Sequence, residues 1–199
     1  MIPPDFGLAF DERAHRYTLD GVQLPSVTTV LQHAGLVDYG FLNAEDRARC
    51  LERGRAVHVA TEQDDAGELA EASVPPEIRG YLEAWRAFRW DYEFLPRLIE
   101  HRVCHRQYRY AGTLDRVGRV RDGTEVILDI KTGAAPDCVR LQLAAYNACL
   151  PHPRTRLRRC VELHPEGIYR VIGFETSDYT RDLNEFLRAL KTFRNREEK

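Results

Sequence analysis

The chain lacks a long apolar run, a closely spaced cysteine pair and a marked excess of charge of either sign. Each absence excludes something. No stretch approaches the roughly twenty apolar residues that a membrane-spanning helix needs. The acidic opening from Met1 to Glu12 has neither the basic nor the apolar part of a secretory signal, so a cytoplasmic location without membrane attachment is expected. The five cysteines (Cys50, Cys104, Cys138, Cys149 and Cys160) never form C-x-x-C, so spacing encodes neither a zinc site nor an iron–sulfur cluster, and they read as reduced core thiols. No G-x-x-x-x-G-K-[ST] segment occurs, which removes a phosphate-binding motor loop. Internal repeats and low-complexity segments are missing as well.

A net charge of −2 does not announce a polyanionic partner, but the local distribution is uneven. Six arginines lie between Arg102 and Arg121, and Arg154, Arg156, Arg158 and Arg159 form a second cluster. Acidic residues gather at 62–77 and at 197–198. A basic face could hold a phosphate backbone; solvated strand edges carrying arginine account for the same composition equally well.

With 199 residues, 43% hydrophobic and 30% charged, the chain suits a single domain with a real core. Residues 1–95 form an N-terminal hairpin and helical region, and 96–199 an α/β core. Alternation and the Asp20-Gly21 turn predict a hairpin over 8–24, after which Ser26 caps a helix that Gly35 stops. A helix is expected over Ala44–Gln63, with Leu51, Val57, His58 and Thr61 inward. Another runs from Pro75-Pro76 to Trp90 with Tyr81, Leu82, Trp85 and Phe88 as core. Strands are expected at 98–109, 113–120 and 124–131, then a helix capped by Asp137 and ended near Leu150 by Pro151. Strands at 156–164 and 168–175 and a helix over 179–194 follow. The fold class is therefore α/β (α+β): a mixed β-sheet flanked by helices.

Within this order, Gly112-Thr113-Leu114-Asp115 and Asp129-Ile130-Lys131 set two carboxylates and an amine on neighbouring strands. Strand alternation turns Asp129 and Lys131 to one face. Whether Asp115 joins them depends on loop length. A two-residue loop at Asp122-Gly123 sets Asp115 against Ile130, on the wrong face. A three-residue loop, 121–123, pairs 120 with 124 and sets Asp115 against Asp129, Leu114 against Ile130 and Val117 against Ile127. Gly123 in the last loop position suits a type I turn with a G1 bulge, so the three-residue loop is predicted. Two opposed carboxylates lie close enough to share a cation, and hard oxygen ligands suit Mg2+ or Mn2+. Lys131 would orient a water and neutralise charge developing on phosphorus.

Gly112-x-x-Asp115, Asp129-Ile130-Lys131-Thr132-Gly133 and Gln142-x-x-x-Tyr146 together resemble the RecB-like branch of the PD-(D/E)XK nuclease superfamily. Arg53-Gly54-Arg55-Ala56-Val57-His58 is similar to that branch's helical histidine motif. His15-x-Tyr17, Asp20-Gly21 and Ser26-Val27-Thr28 resemble the start of small phage and prophage exonucleases. The resemblance covers roughly residues 15–146 and implies a restriction-endonuclease-like core. It makes Asp115 and Asp129 metal ligands, Lys131 the catalytic lysine, and the Ile130 main-chain carbonyl and His58 further ligands of Mg2+ or Mn2+. Glu100 matches an acidic position of the first core strand by place alone. Gln142 and Tyr146 would border the site, touching DNA or steadying the lysine, and Arg116 and Arg119 would contact phosphates.

The expected activity is metal-dependent hydrolysis of DNA, foremost by an exonuclease acting at ends in phage-type recombination, replication or repair, within a host cytoplasm. A recombination or annealing protein would be a partner in trans. The alternatives are a metal-dependent endonuclease and a non-catalytic DNA-binding or scaffold protein that keeps the fold. No cysteine follows Cys160, so no iron–sulfur cluster is expected.

Overall fold

The computed structural model describes residues 7–37 and 43–197. The acidic opening as far as Phe6 and the acidic residue at 198 lie outside the described residues. Three short strands, β1 (Leu8–Asp11), β2 (Arg16–Leu19) and β3 (Val22–Leu24), form an antiparallel sheet. Helix α1 (Val27–His33) follows, with the Ser26 hydroxyl accepting from the Thr29 N–H as the sequence predicts. Next come α2 (Ala44–Ala66) and α3 (Pro76–Asp91), the latter opened by proline at a position where a missing N–H does no harm.

The second sheet holds β4 (Leu95–His105), β5 (Tyr110–Arg119), β6 (Glu125–Thr132), β7 (Leu157–Leu163) and β8 (Tyr169–Phe174), in that spatial order. Only β6 and β7 pair in parallel, joined by the crossover helix α4 (Val139–Ala148); the other neighbours are antiparallel. Helix α5 (Tyr179–Glu197) closes the chain. The sheet is thus mixed and covered on both faces. Val126, Leu128 and Ile130 of β6 pack with Val57 of α2 and Trp85 and Phe88 of α3. Ile127, on the opposite pleat, packs with α1, α4 and α5 through Val27, Leu141 and Phe186.

The β5–β6 turn has the predicted three residues. The Val120 N–H donates to the Thr124 carbonyl, Val117 faces Ile127, and Gly123 takes the left-handed conformation at φ 82°. Paired positions stop at Arg116 and Leu128, however, one step short of the expected Asp115–Asp129 and Leu114–Ile130 pairs. In a continued ladder the Ile130 N–H would go to the Leu114 carbonyl. It goes instead to Asp115 Oδ2 at 2.6 Å, so a side chain takes the place of the next rung.

Several expectations need correction. Leu51, predicted to face inward, is 44% exposed. Asp137 does not cap α4; the N-cap position is Cys138, without a side-chain bond. The β4–β5 turn falls at 106–109 rather than after 109, closed by the Arg109 N–H on the His105 carbonyl. Its Arg-Gln-Tyr-Arg sequence carries none of the glycine, proline or asparagine that marks a turn.

Three of the ten clustered arginines, Arg116, Arg156 and Arg158, are buried. Arg116 is fully buried and cannot reach a phosphate: its Nε donates to Asp65 Oδ2 at 2.6 Å, its Nη1 to Glu100 Oε1 and the Asp115 carbonyl, and its Nη2 to Thr61 Oγ1. Arg158 is likewise buried against Asp182 at 2.8 Å, and Arg156 donates to Asn147 Oδ1 at 2.6 Å. Replacing one partner of such a group leaves charge buried without compensation. Arg116→Met is expected to destabilise the protein by about 3 kcal/mol in urea unfolding. Arg119→Met, which removes an exposed pair with Glu125, should change stability by less than about 1 kcal/mol.

Candidate active site

Beyond Arg116 and Leu128 the strands carry Asp115, Asp129 and Lys131. Asp129 is buried and fully engaged: the Gln142 amide donates to its Oδ1 at 2.7 Å, and Lys131 Nζ lies 2.5 Å from its Oδ2. The thiol of Cys160, the β7 neighbour of Asp129, points at the same Oδ2 at 3.8 Å. Asp115 is also buried and uses Oδ2 to hold the Ile130 N–H. Because Ile130 turns its side chain toward α2, its main chain lies within reach of that helix. His58 Nε2 comes to 3.3 Å from the Ile130 carbonyl oxygen and 3.9 Å from Asp115 Oδ2.

Glu100 completes the group. It stands in β4 between Ile99, paired with Arg116, and His101, paired with Leu114, yet its φ is 42°. That conformation is strained for a side chain larger than glycine, and such strain concentrates at functional sites. Here it accompanies a carboxylate that reaches both His58 Nδ1 and Arg116 Nη1 at 2.9 Å. One ligand atom each from His58, Glu100 and Asp115 lies within 4.8 Å of the others.

The charges answer one another. Burial works against a charged His58 ring, but the Asp115 and Glu100 carboxylates outweigh it and raise its pKa to about 9. Burial also opposes ionisation of Glu100, and His58 and Arg116 together hold its carboxyl below the usual range. Burial pushes the Asp129 carboxyl up to about 6 against the pull of Lys131, and nearby Asp115 adds to the rise. For Lys131 burial is overcome by Asp129 and Asp115, which hold the ammonium charged well beyond neutral pH. Lys131 is thus a cation in this arrangement and no ready base.

The sequence-predicted residues form two sets at the site, with Tyr146, Arg116 and Arg119 outside them. His58, Glu100, Asp115 and the Ile130 carbonyl form one compact donor set of one imidazole and oxygens. Asp129, Lys131 and Gln142 form a second beside it. Tyr146 is buried rather than presented to a ligand, and a Cβ on Gly112 would stand only 2.5 Å from Tyr146 Cε1, so glycine is required for this ring to pack. Gln142 is spent on Asp129, and neither it nor Tyr146 offers a DNA-contacting surface. Arg119 is exposed at the turn end of β5, 3.7 Å from Glu125 and away from these groups. The sequence places Thr61 inward but gives neither it nor Asp65 a role; their hold on Arg116 fixes Glu100. Their signal was an i, i+4 pair on α2 facing an arginine within a buried strand.

No protein-family model matches the chain, and no curated protein matches it significantly.

The proton on His58 has a measurable consequence. A group bound more tightly in the folded state contributes stability fully below its unfolded pKa, about 6.5 here, and loses it as pH rises through about 9. Asp129, also shifted upward, acts in the same direction below about pH 6. The metal-free protein should therefore be less stable at pH 9 than at pH 6.5, by on the order of 2 kcal/mol in urea unfolding. His58→Gln should remove most of that slope. If this donor set takes a divalent cation, added Mn2+ should stabilise more as pH rises, because the imidazole must first lose its proton to bind it.

Proposed function

We propose that the chain is a divalent-metal-dependent deoxyribonuclease of the RecB-like PD-(D/E)XK type, with its five-stranded sheet as a restriction-endonuclease-like core. One observation carries this: buried Asp115 and Asp129, cationic Lys131, His58 and strained Glu100 converge where β5 and β6 part. Such a concentration of partly dehydrated charge has no structural necessity at the open end of a hairpin.

The donor set fits a hard or borderline divalent cation. Carboxylate oxygens, a main-chain carbonyl and one imidazole suit Mn2+ and Mg2+ rather than a thiolate-preferring ion. Asp115, Glu100, His58 and the Ile130 carbonyl would hold it, with Asp129 adjacent. When bound, it supplies Lewis-acid polarisation of a phosphate and a lowered pKa for water.

The remaining work falls to the chain. Glu100 accepts from His58 Nδ1, which directs Nε2 toward Asp115 and Ile130. Gln142 restrains one oxygen of Asp129 and leaves the other to Lys131. Lys131, held protonated, orients a water by donating to it and balances negative charge growing on the phosphoryl oxygens. The neutral Cys160 thiol, its pKa raised by burial and by Asp129, lines the far side without adding charge. Action at DNA ends is the favoured mode, since phosphate contacts suffice for an exonuclease while site-specific cutting needs base readout.

Linear and closed-circular DNA incubated with Mg2+ or Mn2+ test this directly. Linear DNA should be degraded and circles left intact, with activity lost in EDTA and reduced at least about a hundredfold in Lys131→Ala. Nicking of circles would make the protein an endonuclease. Metal-independent binding with no cleavage by the wild type would sink the nuclease proposal.

A further inference from the structure

Above the candidate site opens a cleft of about 730 Å3 whose floor includes His58, Glu100 and Lys131. Its two walls come from residues that the chemistry does not use. One is α2, where Leu51, Arg55 and Val59 follow at i, i+4 and i+8 and so share a stripe. Leu51 is 44% and Val59 51% exposed at the lip of this charged cleft. The other wall is the β1–β2 hairpin with β4: Phe10, Glu12, His15 and Arg102, whose Nη2 donates to Glu12 Oε1 at 3.0 Å.

The second wall is an assembled aromatic surface. The Phe10 ring lies 4.5 Å from Tyr17, meets His15 edge-on at 5.2 Å, and carries the Arg102 guanidinium 4.8 Å from its centre. His15 itself is exposed, as is about half of the Arg102 side chain. The hairpin is also tied to the catalytic strand. Tyr17 Oη and Thr113 Oγ1 are 2.8 Å apart, two residues from Asp115, and the Ala111 N–H donates to the Pro25 carbonyl. The position of the wall is therefore set relative to the site.

We propose that these walls form a stacking channel for unpaired nucleotides, with His15 and Arg102 taking base faces on one side and Leu51 and Val59 lining the other. Arg55 accompanies the phosphates, and the channel selects single strands over duplex. A duplex presents its sugar–phosphate surface, against which exposed leucine and valine gain nothing. A single strand presents apolar base faces, which stack on imidazole and guanidinium planes without regard to sequence. The identity of the ligand as a polynucleotide rests on the nuclease proposal; the preference for unpaired bases rests on the walls alone.

The test is fluorescence anisotropy with the full chain in EDTA, using a labelled oligothymidylate of about 12 nucleotides and a duplex of equal length. The wild type should bind the single strand more tightly. His15→Asn removes the ring but keeps a residue that accepts the left-handed backbone at φ 47°. It should weaken single-strand binding roughly tenfold, as should Leu51→Ser with Val59→Ser on the opposite wall. Equal wild-type affinity for both DNAs, or no affinity for either, would overturn the channel. So would wild-type affinity for the single strand in both variants. Cleavage with Mn2+, followed in parallel, separates the two proposals. Cleavage with unchanged binding in the variants refutes the channel and spares the nuclease; lost binding in the variants of a wild type that never cleaves does the reverse.

Discussion

The bond from the Ile130 N–H to Asp115 Oδ2 stands at the point where β5 and β6 cease to pair. A rung of backbone ladder is replaced there by a carboxylate, and the ladder cannot continue while that donor is taken. The interruption leaves the Ile130 carbonyl within reach of His58. It also leaves Asp129 and Lys131 side by side at a strand end rather than in the middle of a closed sheet. The cleft, its donor set and the place of its lysine all follow from one side chain taking the place of one main-chain acceptor.

Such a concentration of charge persists because it is compensated in layers. Asp129 is held by Lys131 and Gln142, Asp115 by a backbone amide and nearby His58, and Glu100 by His58 and Arg116. Arg116 is anchored in turn by Asp65, which also accepts from the Trp85 indole and pairs with Arg89. The apolar core between α2, α3 and the sheet thus contains a polar strut that ends at the candidate site. Packing of α3 and positioning of Glu100 are coupled through it, which explains why a fully buried arginine sits beside Asp115.

Much of this was legible in the residues. Binary patterning located every major element, and parity of the hairpin fixed the loop at three residues, because a two-residue loop would have turned Asp115 to the wrong face. Asp115 and Asp129 stood out by type and spacing, and His58 through the resemblance of its helical motif. Other features were not. Arg116 looked like a phosphate contact because arginine is usually exposed, and only the meeting of α2 with β5 shows that it is enclosed. The β4–β5 turn escaped notice because its residues carry no turn chemistry. Glu100 was placed by position alone, since a left-handed backbone inside a strand leaves no trace in composition.

What the sequence by itself determined is local: the periodicity of strands and helices, the turn at Gly123, and the side-by-side placement of Asp129 and Lys131 that alternation forces. Tertiary structure alone decided where the ladder ends, that His58 and Glu100 meet across elements forty-two residues apart in sequence, and which arginines are buried. The reason is physical. Alternation and turn chemistry act between neighbours along the chain. Desolvation and ion pairing depend on which distant segments close over a group, and no short stretch of residues contains that information.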